Sequence, residues 1–144
     1  ADELFWYVEN LKVVESHVDD SLYQRKANKR KLEEYDKFLK ASICKTDYDQ
    51  LIRENLAKTY QKMTKLELDE KTAETWRKIG KGMLNPKIFL EDEGLMKKRL
   101  ENILKIFGTE RVVYAGPECG LGGFPTYETA IEYLRRVASV VKQF

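Results

Sequence analysis

Apolar residues recur at heptad spacing through the first forty positions: Leu4, Leu11 and Val18, then Leu32 and Leu39, with Tyr7, Val14 and Tyr35 in the companion register. Ser21, Arg25 and Asn28 interrupt the stripe midway. This spacing predicts one long helix over about 2–42, or two helices meeting near 24–28. No Pro or Gly precedes Gly80, so nothing of that kind forces a break. Thr46 or Asp47 can cap a second helix burying Tyr48, Ile52, Leu56, Tyr60 and Met63. Asp69 can cap a short third one burying Ala73, Trp76 and Ile79 and stopping at Gly80.

From Gly80 onward the texture changes, because all eight Gly and all three Pro lie there. Lys87-Ile88-Phe89-Leu90 is a short apolar run that predicts a strand. Leu95, Met96, Leu100, Ile103, Leu104 and Phe107 then repeat at helical spacing up to Gly108. Arg111-Val112-Val113-Tyr114-Ala115 predicts a buried strand, followed by a glycine-rich turn. A final helix, capped by Thr126, turns Ala130, Leu134, Val137 and Val141 inward. The expected fold is mainly α with a small α/β part: a helical region over 1–80 joined to a βαβα region over 81–144.

Charge and composition narrow the function classes. The 26 basic and 24 acidic residues leave a net charge of +2, which by itself points neither to nucleic acid nor to an acidic partner. No apolar run is long enough for a membrane span, and the first residues lack the basic-then-apolar pattern of a signal peptide. Cys44 and Cys119 form no CxxC pair, and the expectation is two reduced thiols in a cytoplasmic protein.

The most specific feature is Gly116-Pro117-Glu118-Cys119-Gly120-Leu121-Gly122-Gly123-Phe124-Pro125. It places a thiol at the C-terminal end of a parallel strand, where α/β barrels hold their chemistry. The glycines permit tight turns and close ligand approach, and the helix starting near Tyr127 points its positive end at the turn. Together with Arg-Val-Val-Tyr-Ala before it and Tyr-Glu-Thr-Ala-Ile-Glu-Tyr-Leu-Arg-Arg-Val after it, this segment resembles the end of the cobalamin-independent methionine synthase family. Counted generously, the resemblance spans residues 87–144. It implies the last units of a TIM barrel, and methyl transfer from a folate to a thiol in methionine biosynthesis. It also implies a zinc ion, with Cys119 as one ligand. A zinc ion secures a thiolate near neutral pH, which makes a poor nucleophile into a good one.

Other family features are missing. There is no His-x-Cys motif, since His17 is followed by Val18 and Asp19, and 144 residues fall short of the roughly 200 that a barrel needs. The chain therefore reads as a part, subunit or offshoot of such a methyltransferase, completed by a second chain or by self-association.

His17, near Glu15, Asp19 and Asp20, is expected on a solvated helix face. The basic run Arg25, Lys26, Lys29, Arg30 and Lys31, flanked by Tyr23 and Tyr35, offers the alternative. On that reading the chain is a helical assembly or nucleic-acid-coating protein built on its long N-terminal helices. Phe5, Trp6 and Tyr7 are expected to bury, in the core or against another chain.

Overall fold

In a computed structural model that describes residues 4–144, the first forty residues are not a helical stripe but a strand–helix–strand unit. A 3-10 turn over Leu4–Tyr7 leads to strand β1 (Val13–Val14), a second 3-10 turn (Ser21–Tyr23), helix α1 (Ala27–Glu34) and strand β2 (Phe38–Cys44). The expected long helix, single or broken, is thereby corrected; its first positions, 1–3, lie outside the described residues. The physical reason is two aspartates. Asp19 (φ 62°) and Asp36 (φ 46°) take the left-handed conformation, which Asp tolerates better than most side chains and which no helix continues through. Asp20 then caps the Ser21–Tyr23 turn, accepting Leu22 N–H. The heptad residues divide between elements: Leu32 is buried on α1, while Leu39 is buried on β2 with Ala41 and Ile43 in strand alternation.

Helices α2 (Tyr48–Thr59) and α3 (Lys65–Gly80) follow. Asp47 caps α2 as expected, accepting Gln50 N–H. Tyr48, Leu51 and Ile52 are buried, whereas Tyr60 is exposed. The third helix starts earlier than expected, because Thr64 and Glu67 form a capping box and Asp69 falls inside it. Its buried residues are Thr72, Thr75 and Ile79, with Ala73 exposed.

The expected strand at 87–90 is a 3-10 turn over Pro86–Phe89. Asn85 accepts Lys87 N–H, and Pro86 in first position presets a helical φ, so local capping overrides the β-favouring composition. Helix α4 (Glu93–Phe107) stops at Gly108, whose φ of 77° suits glycine. Strand β3 (Val112–Pro117) and helix α5 (Tyr127–Val141), capped by Thr126, complete the chain. The C-terminal half thus holds one strand rather than two. The buried stripe of α5 is Thr129, Tyr133, Val137 and Val140, while Leu134 and Val141 are exposed. It is turned relative to expectation because Tyr133 reaches inward to donate to Lys45 O at 2.7 Å.

All three strands are parallel, in the order β1-β2-β3, so residues 1–80 and 81–144 contribute to one sheet. Right-handed crossovers that always add a strand in the same direction place their helices on one face. On that face Val14, Leu39, Ala41 and Ile43 share a core with Leu32 of α1, with Met96, Leu100, Ile103 and Phe107 of α4, and with Tyr133, Val137 and Val140 of α5. The register pairs Lys40 with Tyr114 and Ser42 with Gly116 on the opposite face, where Ser42, bonded to the Tyr23 hydroxyl, and Gly116 are buried. There Lys40 forms an ion pair with Glu15, and Tyr114 is 63% exposed. No helix among the described residues is long and apolar enough to cross a membrane.

Candidate functional site

The C-terminal ends of the three parallel strands meet at one carboxylate. Glu118 directly follows β3 and continues its ladder, donating its N–H to Cys44 O of β2 at 3.0 Å. Its side chain accepts Val18 N–H at Oε2 (2.8 Å) and Thr46 N–H at Oε1 (3.2 Å). Val18 lies in the loop after β1 and Thr46 in the loop after β2. Beside this junction Cys119 is exposed, and its Sγ lies 3.9 Å from His17 Nδ1. The same nitrogen is 3.5 Å from Glu118 Oε2. His17 is therefore not on a helix face: it sits in the loop after β1, because Val13-Val14 is a strand.

Beneath the rim a second carboxylate grips β2 from the helix side. Glu91 Oε1 accepts Lys45 N–H (2.7 Å), Arg99 (2.8 Å) and the Tyr133 hydroxyl (3.1 Å), and Oε2 accepts Arg99 (2.8 Å). Arg99 also donates to Ile43 O at 3.0 Å. Cys44 is buried beside this network, and burial pushes its thiol up to about 12. Burial likewise raises the Tyr133 hydroxyl. These groups hold the end of β2 in place, and Cys44 is a core residue rather than a reactive one.

Catalytic zinc takes three protein ligands and keeps one position open. Two ligands on a tetrahedral zinc are about 3.3–3.6 Å apart for the usual Zn–N and Zn–S lengths, and the His17–Cys119 spacing of 3.9 Å is near that. Both Glu118 oxygens, however, are engaged by backbone N–H groups. No group of three or more His, Cys, Asp or Glu placed to hold a metal ion occurs among the described residues. Cys119 and His17 thus offer part of a ligand set and not a whole one.

The glycines of the turn do less than their number suggests. Gly120, Gly122 and Gly123 have ordinary φ values, and a Cβ at any of them meets open space. Leu121 and Phe124 pack onto the core, with the Phe124 ring 5.3 Å from Tyr48 and 5.4 Å from Tyr133, and so seat the turn.

The basic run falls on and just before α1, a helix of eight residues. Arg25, Lys26 and Arg30 are exposed, Lys29 lies 3.5 Å from Glu110, and Lys31 sits over the Trp6 ring. The long N-terminal helices expected to carry an assembly surface do not form. Of the terminal aromatics, Trp6 is buried against Tyr35, Phe5 packs partly onto the core and Tyr7 is exposed.

Sequence reasoning missed His17 as a neighbour of Cys119 and missed Glu118 as the link between them. One signal was available: a β-branched pair, Val13-Val14, three residues before the chain's single histidine. No protein-family model, curated protein or solved structure matches this chain.

Proposed function

We propose that this chain is a part, subunit or offshoot of a cobalamin-independent methionine synthase-like methyltransferase, with Cys119 as one ligand of its zinc ion. One juxtaposition supports the reading: a thiol on the turn after β3 and an imidazole on the loop after β1, 3.9 Å apart at the strand ends where α/β proteins hold their chemistry. His17 offers a second donor atom beside Cys119, outside any His-x-Cys motif. When bound, the zinc ion would hold an acceptor thiol as its thiolate. The chain's own contribution is to present Sγ and the imidazole side by side on a rim fixed by Glu118.

One exposed patch of the sheet supports the same reading. Parallel sheets occur almost only with both faces covered, yet on the face opposite the helices Tyr114 is largely exposed and the Lys40–Glu15 pair partly so, while Ser42 and Gly116 are buried. Further strands, from the same polypeptide or a second chain, would cover that face and bring the missing ligands.

The test is elemental analysis of the protein purified from its native cells, wild type against Cys119→Ser. Zinc present in the first and lost in the second is the expected result. Absence of zinc, together with salt-sensitive retention on DNA or RNA that depends on Arg25, Lys26 and Arg30, would favour the nucleic-acid reading instead.

A further inference from the structure

We propose that Glu118 is a positioning residue that sets His17 and Cys119 against each other. Sequence adjacency gives it this reach. Val18 directly follows His17, and Cys119 directly follows Glu118, so the single hydrogen bond from Val18 N–H to Glu118 Oε2 (2.8 Å) fixes the backbone next to both. The bond from Thr46 N–H to Oε1 (3.2 Å) anchors the same carboxylate to the end of β2, so it cannot swing out with either loop.

The pair needs such an anchor. The His17 side chain is 73% exposed and Cys119 is exposed, so packing does little to restrain either. The Glu118 side chain is only 12% exposed, and a carboxylate shielded from water makes stronger bonds to backbone N–H groups than an exposed one. A rim without it keeps its strands, because the sheet ladder and the Glu91–Arg99 network are separate, but loses the register between the two loops. That the pair so held is a metal-binding one rests on the methyltransferase reading; that Glu118 holds it does not.

Two measurements test the assignment without any metal. The first is disulfide trapping in a His17→Cys chain treated with diamide, at a temperature well below melting. A bond to Cys119 forms readily, and adding Glu118→Gln slows it by about tenfold or more, because small misplacements of reacting groups are costly. The amide keeps the size of the side chain but offers one acceptor oxygen in place of two, which leaves one backbone N–H without a partner.

The second is amide hydrogen exchange. In Glu118→Gln at least one of the Val18 and Thr46 amides exchanges about ten- to a hundredfold faster, the range that one lost hydrogen bond to a charged group corresponds to. A purely stabilising role would lower the melting temperature without slowing trapping in the folded variant. Three results would each overturn the assignment: equal trapping rates with and without Glu118→Gln, no trapping at all while Glu118 is in place, or unchanged exchange at both amides. If the wild type holds no zinc while trapping and exchange change as stated, the methyltransferase reading fails and the role of Glu118 stands.

Discussion

His17 and Cys119, 102 positions apart in sequence, bring an imidazole nitrogen and a thiol to within 3.9 Å at the end of one parallel sheet. Neither residue is placed by its own packing. The strands place the loops that carry them, and hydrogen bonds from Val18 and Thr46 tie those loop ends to Glu118.

The two thiols differ in reactivity for physical reasons. Cys119 is exposed, while Cys44 is fully buried with its thiol pushed up to about 12 by burial. Iodoacetamide at neutral pH therefore labels Cys119 in the folded protein and both cysteines in denaturant, as peptide mass spectrometry reads directly. Labelling of Cys44 at a comparable rate under native conditions would contradict the placement of β2.

Glu91 and Arg99 form a shielded ion pair, with side chains 8% and 10% exposed. Removing Glu91 leaves the shielded Arg99 guanidinium with only the largely exposed Asp19, 4.0 Å away, to offset its charge. Glu91→Ala should cost about 3–5 kcal/mol in a denaturant titration. It also strands the Lys45 N–H, which donates to Glu91, whereas the Tyr133 hydroxyl keeps its bond to Lys45 O. Replacing both partners, Glu91→Leu with Arg99→Met, should recover a large share of that loss.

Asp49 carries a pH signature at the surface. Its hydrogen bonds from Arg53 and from the Trp76 indole hold its carboxyl below the usual carboxylate range. A group whose folded value is depressed contributes stability above its unfolded value, about 3.9, and loses it as pH falls through the folded value. Melting temperature should therefore fall less steeply below about pH 4 in Asp49→Asn than in the wild type. Because the side chain is 45% exposed, the difference is small, and calorimetry across that window is the measurement.

Tyr114 tests the exposed patch of the sheet. Being largely exposed, it should tolerate Tyr114→Ser within about 0.5 kcal/mol in the isolated chain. If further strands cover that patch in the native protein, the same change lowers the yield of the completed assembly, read by size-exclusion chromatography of protein from native cells.

Where structure is set locally, the sequence was legible. Asp47, Thr126 and Gly108 mark helix ends by side-chain bonds or a positive φ within a few residues, and all three act as the spacing predicts. The Cys119 turn lies between β3 and α5, as its glycines suggested. The N-terminal third was not legible, because β2 is defined by pairing with β3 some seventy residues away, and heptad spacing cannot report a non-local partner. Asp19 and Asp36 make the turns in a stretch that has no glycine to signal them. Misreading that region as helix also hid His17, and with it half of the candidate site.

Zinc binding at the strand ends is best tested by X-ray absorption at the zinc edge, on protein from native cells. The expected spectrum is that of a zinc shell containing sulfur and imidazole nitrogen, with a sulfur lost in Cys119→Ser and a nitrogen lost in His17→Gln. A zinc shell that neither change alters, or protein without zinc, would show that Cys119 and His17 are not its ligands.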